Sequence, residues 1–495
     1  MFETAELGRK IGRKAFAAEE PQLHTALLKA QFALQDAGIA VIVIVSGVEG
    51  AGKGGVVSRL NKWLDARGVE THALWDESEE ERERPFFWRF WRVMPARGSI
   101  AVLFGSWYTK PIVDHALEHT DLDAYERALH RNVQLEQLLV DDGALIIKFW
   151  FHLNRKQQQT RLKADLDAET ASPQLKAYSR SYKRFASVSE RAIRITDRGH
   201  APWHIIEATD ENYRDITTGR LLLEAMESRL AQMTATSGTA DGSTAAQTQT
   251  VSTVSPTEQT VLDKVDLGSR LSGKEYDKRL ASRQSELRQL AWKAKQQGRN
   301  TVMVFEGWDA AGKGGVIRRV TAGMDARLFR VISVAAPTDE ERAHHYLWRF
   351  WRHIPRAGHM TIYDRSWYGR VLVERVERFA STHEWQRAYQ EINDFEEQLV
   401  DHGVIMLKFW LHISPEEQLA RFKEREQVER KQHKITDEDW RNRERWDGYR
   451  AAVHDMVARC STTHAPWLLI GANDKKSARI EVLDTICERL AKALD

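Results

Sequence analysis

Short apolar runs alternate with longer amphipathic stretches through the second half of the chain. Helical spacing of the apolar side chains predicts helices over residues 274–297, 312–321, 341–352, 383–400, 415–427 and 475–494. The apolar runs have the length of buried strands and cover residues 301–305, 331–335, 360–363, 404–410 and 467–470. This alternation is typical of an α/β fold, in which helices cover both faces of a parallel sheet. Ligands of such sheets bind beyond the carboxyl ends of the strands.

An internal repeat extends the pattern to the first half of the chain. Trp-Arg-Phe-Trp-Arg at 88–92 returns 260 residues later at 348–352, and Lys-Phe-Trp at 148–150 returns at 408–410. His-Ala-Pro-Trp at 200–203 returns 264 residues later at 464–467, so a short insertion lies between in the second copy. A repeat of this length is a duplicated domain rather than a solenoid unit. We therefore predict tandem domains over residues 1–230 and 259–495.

The segment between the two copies, residues 231–258, predicts a flexible linker. From 234 to 257 it consists almost entirely of Ala, Ser, Thr, Gly and Gln. Such a stretch cannot bury enough apolar surface to order itself.

The composition indicates two soluble globular domains, since 42% of the residues are hydrophobic and 29% are charged. A net charge of +2 gives no reason to expect nucleic acid or a membrane surface as a partner. We find no apolar stretch of about 18 residues and no signal-peptide pattern. Cys460 and Cys487 provide no disulfide framework, which favours a cytoplasmic location. The sequence does not determine the oligomeric state, so a homo-oligomer stays an open alternative.

A glycine-rich loop follows the first strand of each copy. Gly-Trp-Asp-Ala-Ala-Gly-Lys-Gly-Gly occupies 307–315, and Gly-Val-Glu-Gly-Ala-Gly-Lys-Gly-Gly occupies 47–55. A strand, such a loop and then a helix form the setting of a Walker A phosphate-binding loop, where backbone N–H groups, the helix N-terminus and a lysine meet the anion. In the second copy we predict that phosphate is bound by Gly307, Gly312, Lys313, Gly314 and Gly315.

The loop lacks the Ser or Thr that usually follows the lysine and helps to hold Mg²⁺, because Gly314 stands there. A carboxylate must then take over. Asp309 lies inside the loop and Asp364 ends a predicted strand, as a Walker B acid does. Taken alone, either carboxylate is as easily a turn or capping residue, but two of them beside a phosphate loop suit the oxygen-seeking Mg²⁺ ion. We predict both as metal ligands.

Several motifs of the second copy together resemble the type 2 polyphosphate kinases. They are Gly-x-Asp-x-x-Gly-Lys-Gly, Asp-Arg-Ser-Trp-Tyr at 364–368, Lys-Phe-Trp with a following basic stretch, and His-Ala-Pro-Trp. The resemblance covers nearly all of residues 259–495, and the fused arrangement resembles the subgroup that phosphorylates AMP to ADP. It implies a thymidylate-kinase-like P-loop kinase fold with a mobile helical lid, Mg²⁺ as cofactor, and inorganic polyphosphate as phosphoryl donor.

The resemblance also implies roles for single residues. Phosphoryl transfer requires in-line positioning and positive charge around the transferred group. The catalytic set is then Asp309, Lys313, Asp364, Arg365 and Arg425. Asp364 either holds the metal or orients the acceptor oxygen, and Arg365 steadies an adjacent phosphate.

Other cations of the second copy are weaker candidates. Arg421 lies one helical turn before Arg425 and would share its face as a lid arginine. Arg352 and Arg370, together with Arg349, are candidates for a donor channel. Most other charges of the basic stretch belong to a solvated helix with ion pairs. We expect the tryptophans at 348 and 351 in the core, and we expect structural roles for His412 and His464.

The first copy lacks four of these side chains at the equivalent positions. Glu49 replaces Asp309, Phe104 replaces Asp364, Gly105 replaces Arg365 and Asp165 replaces Arg425. The glycines and Lys53 remain, so the first copy is expected to bind an anion weakly at most. The chemistry is therefore assigned to the second copy.

Three alternatives stay open. An ATP-dependent nucleoside monophosphate kinase shares the loop and the Asp-Arg pair, although Gly314 argues against it. A polyphosphate kinase that accepts ADP or GDP shares every motif. A polyphosphate- or nucleotide-binding scaffold would fit the first copy alone.

Overall fold

The computed structural model describes residues 1–167, 180–238, 259–428 and 437–495. The chain divides into two compact units. The first comprises Met1–Glu77, Arg89–Gln247 and Asp339–His345, and the second comprises Ser78–Trp88, Thr248–Thr338 and Tyr346–Asp495. None of the described helices is long and apolar enough to cross a membrane.

The first unit contains a five-stranded parallel sheet in the order β2-β3-β1-β4-β5. Its strands are β1 (Val41–Gly47), β2 (Val69–Ala73), β3 (Ile100–Phe104), β4 (Leu145–His152) and β5 (Trp203–Glu207). The longer helices of the first copy are Arg13–Asp36, Lys53–Trp63, Thr109–Ala116, Leu122–Asp141, Arg155–Asp167, Tyr182–Thr196 and Glu211–Gly238, and the short ones are Phe2–Ala5, Ala66–Gly68, Glu79–Arg82 and Trp88–Trp91. The last long helix ends at Gly238, eight residues inside the segment predicted as a linker. The remainder of that segment, 239–258, lies outside the described residues.

The second unit repeats this sheet in the order β10-β9-β6-β8-β7, again with parallel pairs throughout. Its strands are β6 (Thr301–Gly307), β7 (Phe329–Ser333), β8 (Met360–Asp364), β9 (Ile405–His412) and β10 (Trp467–Gly471). The longer helices of the second copy are Gly273–Gln296, Lys313–Ala322, Thr382–Asp401, Pro415–Gln427, Asp437–Glu444, Trp446–Cys460 and Lys475–Leu494. The short ones are Val261–Lys264, Asp339–Arg342, Trp348–Trp351, Trp367–Arg370 and Val373–Val376. The predicted α/β fold class is confirmed, with each of the five predicted strands in place.

One predicted helix of the second copy is wrong. Residues 341–352 form two short helices, Asp339–Arg342 and Trp348–Trp351, separated by a turn. Leu347, Trp348, Phe350 and Trp351 are all buried. The helical conformation is interrupted at 343–347, directly before three of these buried side chains, so the apolar spacing alone did not indicate the break. The prediction that both tryptophans belong to the core is confirmed.

Local sequence explains where the helices near the loop begin. The side chain of Ser414 accepts a hydrogen bond from the Glu417 N–H at 3.2 Å, and Pro415 stands in the first turn, where its missing N–H costs nothing. Ser381 and Glu384 form a reciprocal capping box at the helix Thr382–Asp401. These caps set the starting points of the two helices that flank β9 in sequence.

The lysine of Lys-Phe-Trp and the tyrosine of Ser-Trp-Tyr contribute to the core. The fully buried Lys408 ammonium donates to Glu396 at 2.6 Å, to the Tyr368 hydroxyl at 2.8 Å and to the Cys460 carbonyl at 2.8 Å. In the first unit Lys148 makes the same contacts with Glu136, Tyr108 and the Thr196 carbonyl at 2.7, 3.1 and 2.9 Å. A buried charge needs such complete pairing. Both copies therefore retain these motifs for the fold.

Candidate active site

The centre of the second sheet brings the loop and the strand-end carboxylate together. β6 is the middle strand, and the glycine-rich loop leaves its carboxyl end. β8 pairs with β6 in a register that sets Asp364 beside Phe305. The loop and Asp364 therefore meet at the edge of the sheet where parallel α/β folds bind ligands.

Two glycines give the loop its shape. Gly307 has φ +150°, and a Cβ there would lie 2.5 Å from the Leu411 carbonyl oxygen of β9. Gly312 is left-handed at φ +107° and directly precedes the helix Lys313–Ala322. A Cβ at Gly312 would meet nothing within 4 Å, so the space beside the helix N-terminus is open. The positive end of the helix dipole faces this space, which suits a phosphate group.

Lys313 points back across the loop. Its ammonium donates to the carbonyl oxygens of Gly307 at 2.6 Å and Trp308 at 3.3 Å. Burial lowers the pKa of the Lys313 ammonium, and the carboxylate of Asp309 opposes that shift. Two carbonyls thus hold the ammonium in position, and no carboxylate among the described residues forms a direct ion pair with it.

The Asp309 carboxylate is fixed from two sides. One oxygen accepts from the Arg365 guanidinium at 3.2 Å, and the other accepts from the Asn442 amide at 2.9 Å. Arg365 itself has φ +64°, a left-handed conformation that is unfavourable for a residue with a side chain. This left-handed conformation places a guanidinium directly after β8, within reach of the loop.

Glu306, the residue before the loop, was not among the predicted site residues. Its side chain is 6% exposed and accepts a hydrogen bond from the Ser366 hydroxyl at 2.8 Å. Burial raises the pKa of Glu306 to about 7, against the opposing influence of Lys313. An acidic residue at the end of an otherwise apolar strand is the sequence signal that could have identified it.

Two adjoining spaces meet at Lys313. The first, which we call the aromatic cavity, has a volume of about 600 Å³ and includes Trp308, Trp410 and Tyr449 among its lining residues. The second, the cationic channel, has a volume of about 1370 Å³ and is lined by the loop, Asp364 and a set of cations: Lys313, Arg318, Arg319, Arg365, Arg421, Arg425, Lys475 and Arg479. Asp309, Lys313 and Arg365 line both spaces. An aromatic compartment therefore opens onto a positively charged one at the loop.

Arg421 lines the channel, but its nitrogens are already engaged. They donate to the carbonyls of Ala310 at 2.9 Å, Ala311 at 3.1 Å, Ala472 at 2.7 Å and Asn473 at 2.9 Å, and to Glu417 at 2.6 Å. The equivalent Arg161 of the first unit donates in the same way to the Gly50 and Thr209 carbonyls at 3.1 and 2.7 Å. Because an arginine with equivalent contacts is present in both units, we assign Arg421 to supporting the loop.

The remaining predicted cations separate into two groups. Arg425 lines the cationic channel, as expected for a phosphate contact. Arg370 instead pairs with Glu374 at 3.1 Å and covers the Tyr346 ring at 4.5 Å, and Arg352 covers the Trp348 ring at 4.5 Å. Neither is among the described residues that line the two spaces.

The helices Pro415–Gln427 and Asp437–Glu444 border the site, where the resemblance implies a lid. Gln418 donates to the Asp309 carbonyl at 3.1 Å from the first helix, and Asn442 reaches the same residue from the second. Phe422 and Trp440 pack edge to face with ring centroids 5.1 Å apart. The mobility of this lid stays a prediction.

At the wall of the aromatic cavity, Trp308 packs against a second tryptophan and forms a hydrogen bond with His412. The rings of Trp308 and Trp446 stack with their centroids 3.7 Å apart. The Trp308 indole N–H donates to Nδ1 of His412 at 2.9 Å, and burial lowers the pKa of His412 to about 4. A neutral, hydrogen-bonded His412 has the packing role that the sequence predicted for it.

The first unit keeps the glycine-rich loop, but a carboxylate neutralises the charge of the loop lysine. Lys53 forms an ion pair with Glu49 at 2.7 Å, the residue that stands in place of Asp309. Arg214 is 3% exposed and donates to the Ala51 carbonyl at 3.3 Å. A Cβ on Gly52 would lie only 1.9 Å from this guanidinium, so the space that is open beside Gly312 is filled here.

Known proteins resemble this chain in both of its halves. The chain matches the family model of polyphosphate kinase 2 (PPK2) twice, over residues 10–234 and 270–494. It is 46% identical over 498 residues to a polyphosphate:AMP phosphotransferase of Pseudomonas syringae pv. tomato, with 100% of this chain and 99% of the relative covered. A polyphosphate:AMP phosphotransferase of Acinetobacter johnsonii is 37% identical over 487 residues, with 95% and 96% covered.

A solved structure extends the likeness to three dimensions. A crystal structure described as that of a polyphosphate kinase 2 from Pseudomonas aeruginosa PA01 superimposes with a TM-score of 0.88 at 44% identity, covering 100% of this chain and 99% of the other. Fold, loop and strand-end Asp-Arg pair define a P-loop kinase. The chain belongs to the polyphosphate kinase 2 family, as its motifs indicated.

Proposed function

We propose that this protein is a polyphosphate:AMP phosphotransferase whose second domain, residues 259–495, converts AMP to ADP with inorganic polyphosphate as donor. The observation that carries the proposal is the meeting of the aromatic cavity and the cationic channel at Lys313. A nucleoside ring suits the first space, since aromatic walls stack on bases. A chain of phosphates without a base suits the second, since its recognition depends on charge.

The residues around Lys313 then act through position and charge. The Lys313 ammonium and the Arg365 guanidinium stabilise the charge of the transferred phosphoryl group. Asp309 holds Arg365 at the junction of the two spaces, and the N–H groups at the start of the helix Lys313–Ala322 bind phosphate oxygens. Arg425 contacts the donor in the cationic channel. Asp364 lines the cationic channel beside this junction, where it orients the acceptor oxygen or holds a metal.

Mg²⁺ fits the oxygen ligands of this site. The described residues contain no group of three or more His, Cys, Asp or Glu side chains arranged to hold a metal ion. Asp309 and Asp364 both line the cationic channel, however, and Mg²⁺ is commonly bound by one or two carboxylates together with substrate phosphates and water. Bound there, Mg²⁺ would neutralise charge on the reacting phosphates. Asp309 and Asp364 are the residues we assign to it.

AMP is proposed as the acceptor because the duplicated architecture spans the full length of two relatives that bear the AMP phosphotransferase name. The two buried free cysteines agree with a reducing cytoplasm as the setting.

A substrate matrix tests the proposal. Purified protein is incubated with AMP, ADP or GDP as acceptor and polyphosphate or ATP as donor, with Mg²⁺ or with a chelator, and the products are separated by chromatography. We expect ADP from AMP and polyphosphate only when Mg²⁺ is present. Transfer from ATP with none from polyphosphate would overturn the donor assignment, and preferred phosphorylation of ADP or GDP would overturn the acceptor.

A further inference from the structure

The first unit contains a cavity that reproduces the aromatic cavity position by position. This first-unit cavity has a volume of about 670 Å³, against about 600 Å³ in the second unit. Apart from Asn442, each residue that lines the aromatic cavity has its equivalent, 260 or 264 positions earlier, in the first-unit lining. Loss of catalytic side chains has therefore not closed the pocket.

The first-unit cavity has lost the charges that face the cavity of the second unit. Ser46 replaces Glu306, Gly105 replaces Arg365, and Phe185 replaces Tyr449. Among the described lining residues the remaining charges are Lys53 and Glu49, and these neutralise each other at 2.7 Å. A phosphate group would have to break that ion pair to reach the ammonium.

The equivalent of the cationic channel is also lost. At the positions of Arg318, Lys475 and Arg479 the first copy has Ser58, Glu211 and Asp215. Of the equivalent cations that remain, Lys53 pairs with Glu49 at 2.7 Å and Arg161 donates to backbone carbonyls. Arg59 forms ion pairs with Glu20 at 3.0 Å and Asp215 at 3.1 Å. A polyanion would meet acidic side chains at this edge of the sheet, which disfavours a bound phosphate chain.

The first-unit cavity retains side chains that can recognise a planar ring. Trp75, Trp150, Tyr182 and Phe185 contribute aromatic surface. Two buried polar atoms of the lining have no hydrogen-bond partner among the described residues: Oε1 of Gln158, whose side chain is 3% exposed, and Nε1 of Trp150, which is 5% exposed. Buried polar groups are normally satisfied, so an unpaired acceptor and an unpaired donor in one cavity indicate a ligand that supplies both.

The equivalent glutamine of the second unit has hydrogen-bond partners for both its amide nitrogen and its amide oxygen. Gln418, the equivalent of Gln158, donates to the Asp309 carbonyl at 3.1 Å and accepts from Arg443 at 3.0 Å. Its oxygen is therefore satisfied by protein, whereas the Gln158 oxygen has no hydrogen-bond partner among the described residues, which do not include position 179, the counterpart of Arg443.

We propose that the first-unit cavity is a binding site for a neutral nucleoside, a purine base with its sugar and without a phosphate chain. The choice of ligand class rests on the proposed function, which assigns the aromatic cavity to the base of AMP. A purine presents a hydrogen-bond donor and acceptors along its edge and two faces for aromatic contact. The first unit is thus a nucleoside-sensing domain derived from a catalytic one.

Equilibrium dialysis of radiolabelled adenosine against the full chain tests the proposal, with three variants. Val373→Trp fills the aromatic cavity, and the matched Val113→Trp fills the first-unit cavity at the equivalent position. In Val373→Trp one equivalent of adenosine should remain bound, and AMP should not displace it efficiently. The double variant should bind none. Gln158→Leu in the Val373→Trp background should weaken the remaining binding roughly tenfold, because a buried hydrogen bond is lost.

The outcomes separate this inference from the proposed function. If Val373→Trp binds no adenosine, or if Val113→Trp and Gln158→Leu both leave its remaining equivalent unchanged, the first-unit site does not exist. Circular dichroism checks that each variant is folded, and Gln158→Leu decides the question if Val113→Trp is not. AMP phosphorylation by the unmodified protein is measured separately, and its absence would remove the proposed function while leaving the adenosine count to decide the first-unit site.

Discussion

The two glycine-rich loops share a backbone and differ in what their lysine touches. In the second unit Lys313 is held by two carbonyls, and the loop carboxylate Asp309 is held by Arg365 and Asn442. In the first unit Lys53 keeps the glycine carbonyl contact, to Gly47 at 3.0 Å, but its second partner is the loop carboxylate itself, Glu49, at 2.7 Å. One additional methylene lets the carboxylate reach the ammonium. A retained phosphate-loop motif therefore does not by itself keep a charge available for phosphate.

The two units also differ in which residue types occupy left-handed positions of the backbone. Ala310 and Arg365 have φ +62° and +64°, while their first-unit equivalents Gly50 and Gly105 have φ +80° and +85°. Left-handed backbone costs a non-glycine residue on the order of 1 kcal/mol, and glycine very little. The second unit accepts this cost where it places a functional guanidinium, and the first unit has relieved it.

The largest effect should come from removing one lysine or the other. Lys313→Ala should reduce kcat for AMP phosphorylation by about 10² to 10³ or more, because a charge that stabilises the transition state is lost. The matched Lys53→Ala should retain most of the activity, since that ammonium is already paired. Steady-state kinetics measures both. A comparable loss in Lys53→Ala would show that both loops take part in catalysis.

Removal of the supporting arginine should act on stability in both units. Arg421→Ala removes the guanidinium donor from three buried carbonyls and one partly buried carbonyl. We expect a loss of about 2–4 kcal/mol in the free energy of unfolding. Arg161→Ala should destabilise the first unit in the same manner and keep AMP phosphorylation. Urea unfolding followed by fluorescence and circular dichroism measures the effect. If Arg421→Ala raises KM for polyphosphate without changing stability, the residue binds donor and our reassignment is wrong.

Glu306 should make the stability of the second unit depend on pH. Because burial raises its folded-state pKa from 4.5 to about 7, the folded protein holds a proton that the unfolded chain releases. Stability should therefore be greatest below about pH 4.5 for this group and should fall as pH rises through 7. The decrease is on the order of 2 kcal/mol between about pH 5 and 7 without Mg²⁺ and substrates.

Glu306→Gln tests this expectation by differential scanning calorimetry across that range. The variant should lose this part of the pH dependence of Tm. The matched Ser46→Ala in the first unit should keep it, since no carboxylate stands there. An unchanged profile in Glu306→Gln would mean that Glu306 is ionised in the folded protein at pH 5.

The cationic channel should give the smallest single effect. Lys475→Glu introduces the residue that the first copy has at this position, Glu211, and should raise KM for polyphosphate about tenfold while KM for AMP changes little. The effect should shrink at high salt because ions screen the channel. Glu211→Lys is the matched control and should leave both constants unchanged. Equal changes in both KM values for Lys475→Glu would argue against a separate donor path.

The sequence predicted the parts of the site that are continuous along the chain. The loop at 307–315 and the strand ending at Asp364 lie where the apolar runs placed them. Arg479 contributes to the same channel from the helix after β10, where the guanidinium lies 3.3 Å from a Cβ placed on Gly315. No spacing rule connects a residue to a loop more than 160 positions earlier, so folding alone reveals that neighbour.

Arg421 illustrates a different limit of prediction. Its spacing from Arg425 correctly indicated a shared helix, yet helical periodicity does not say whether a guanidinium binds a ligand or the protein's own carbonyls. Arg370 is another such case, since its partner Glu384 becomes a neighbour only in the fold. Charged side chains near a site are thus harder to assign from sequence than the backbone that presents them.

The contacts of Arg421 also fix where the helix Pro415–Gln427 can bend. One guanidinium fastens this helix both to the loop, at Ala310 and Ala311, and to the residues that follow β10, at Ala472 and Asn473. These contacts tie the helix up to Arg421 to the sheet. A closing movement of the lid that the resemblance implies would then pivot beyond residue 421, with Arg425 on the moving arm and the phosphate loop on the stationary one. Closure would then carry a cation toward the donor without disturbing the loop that receives it.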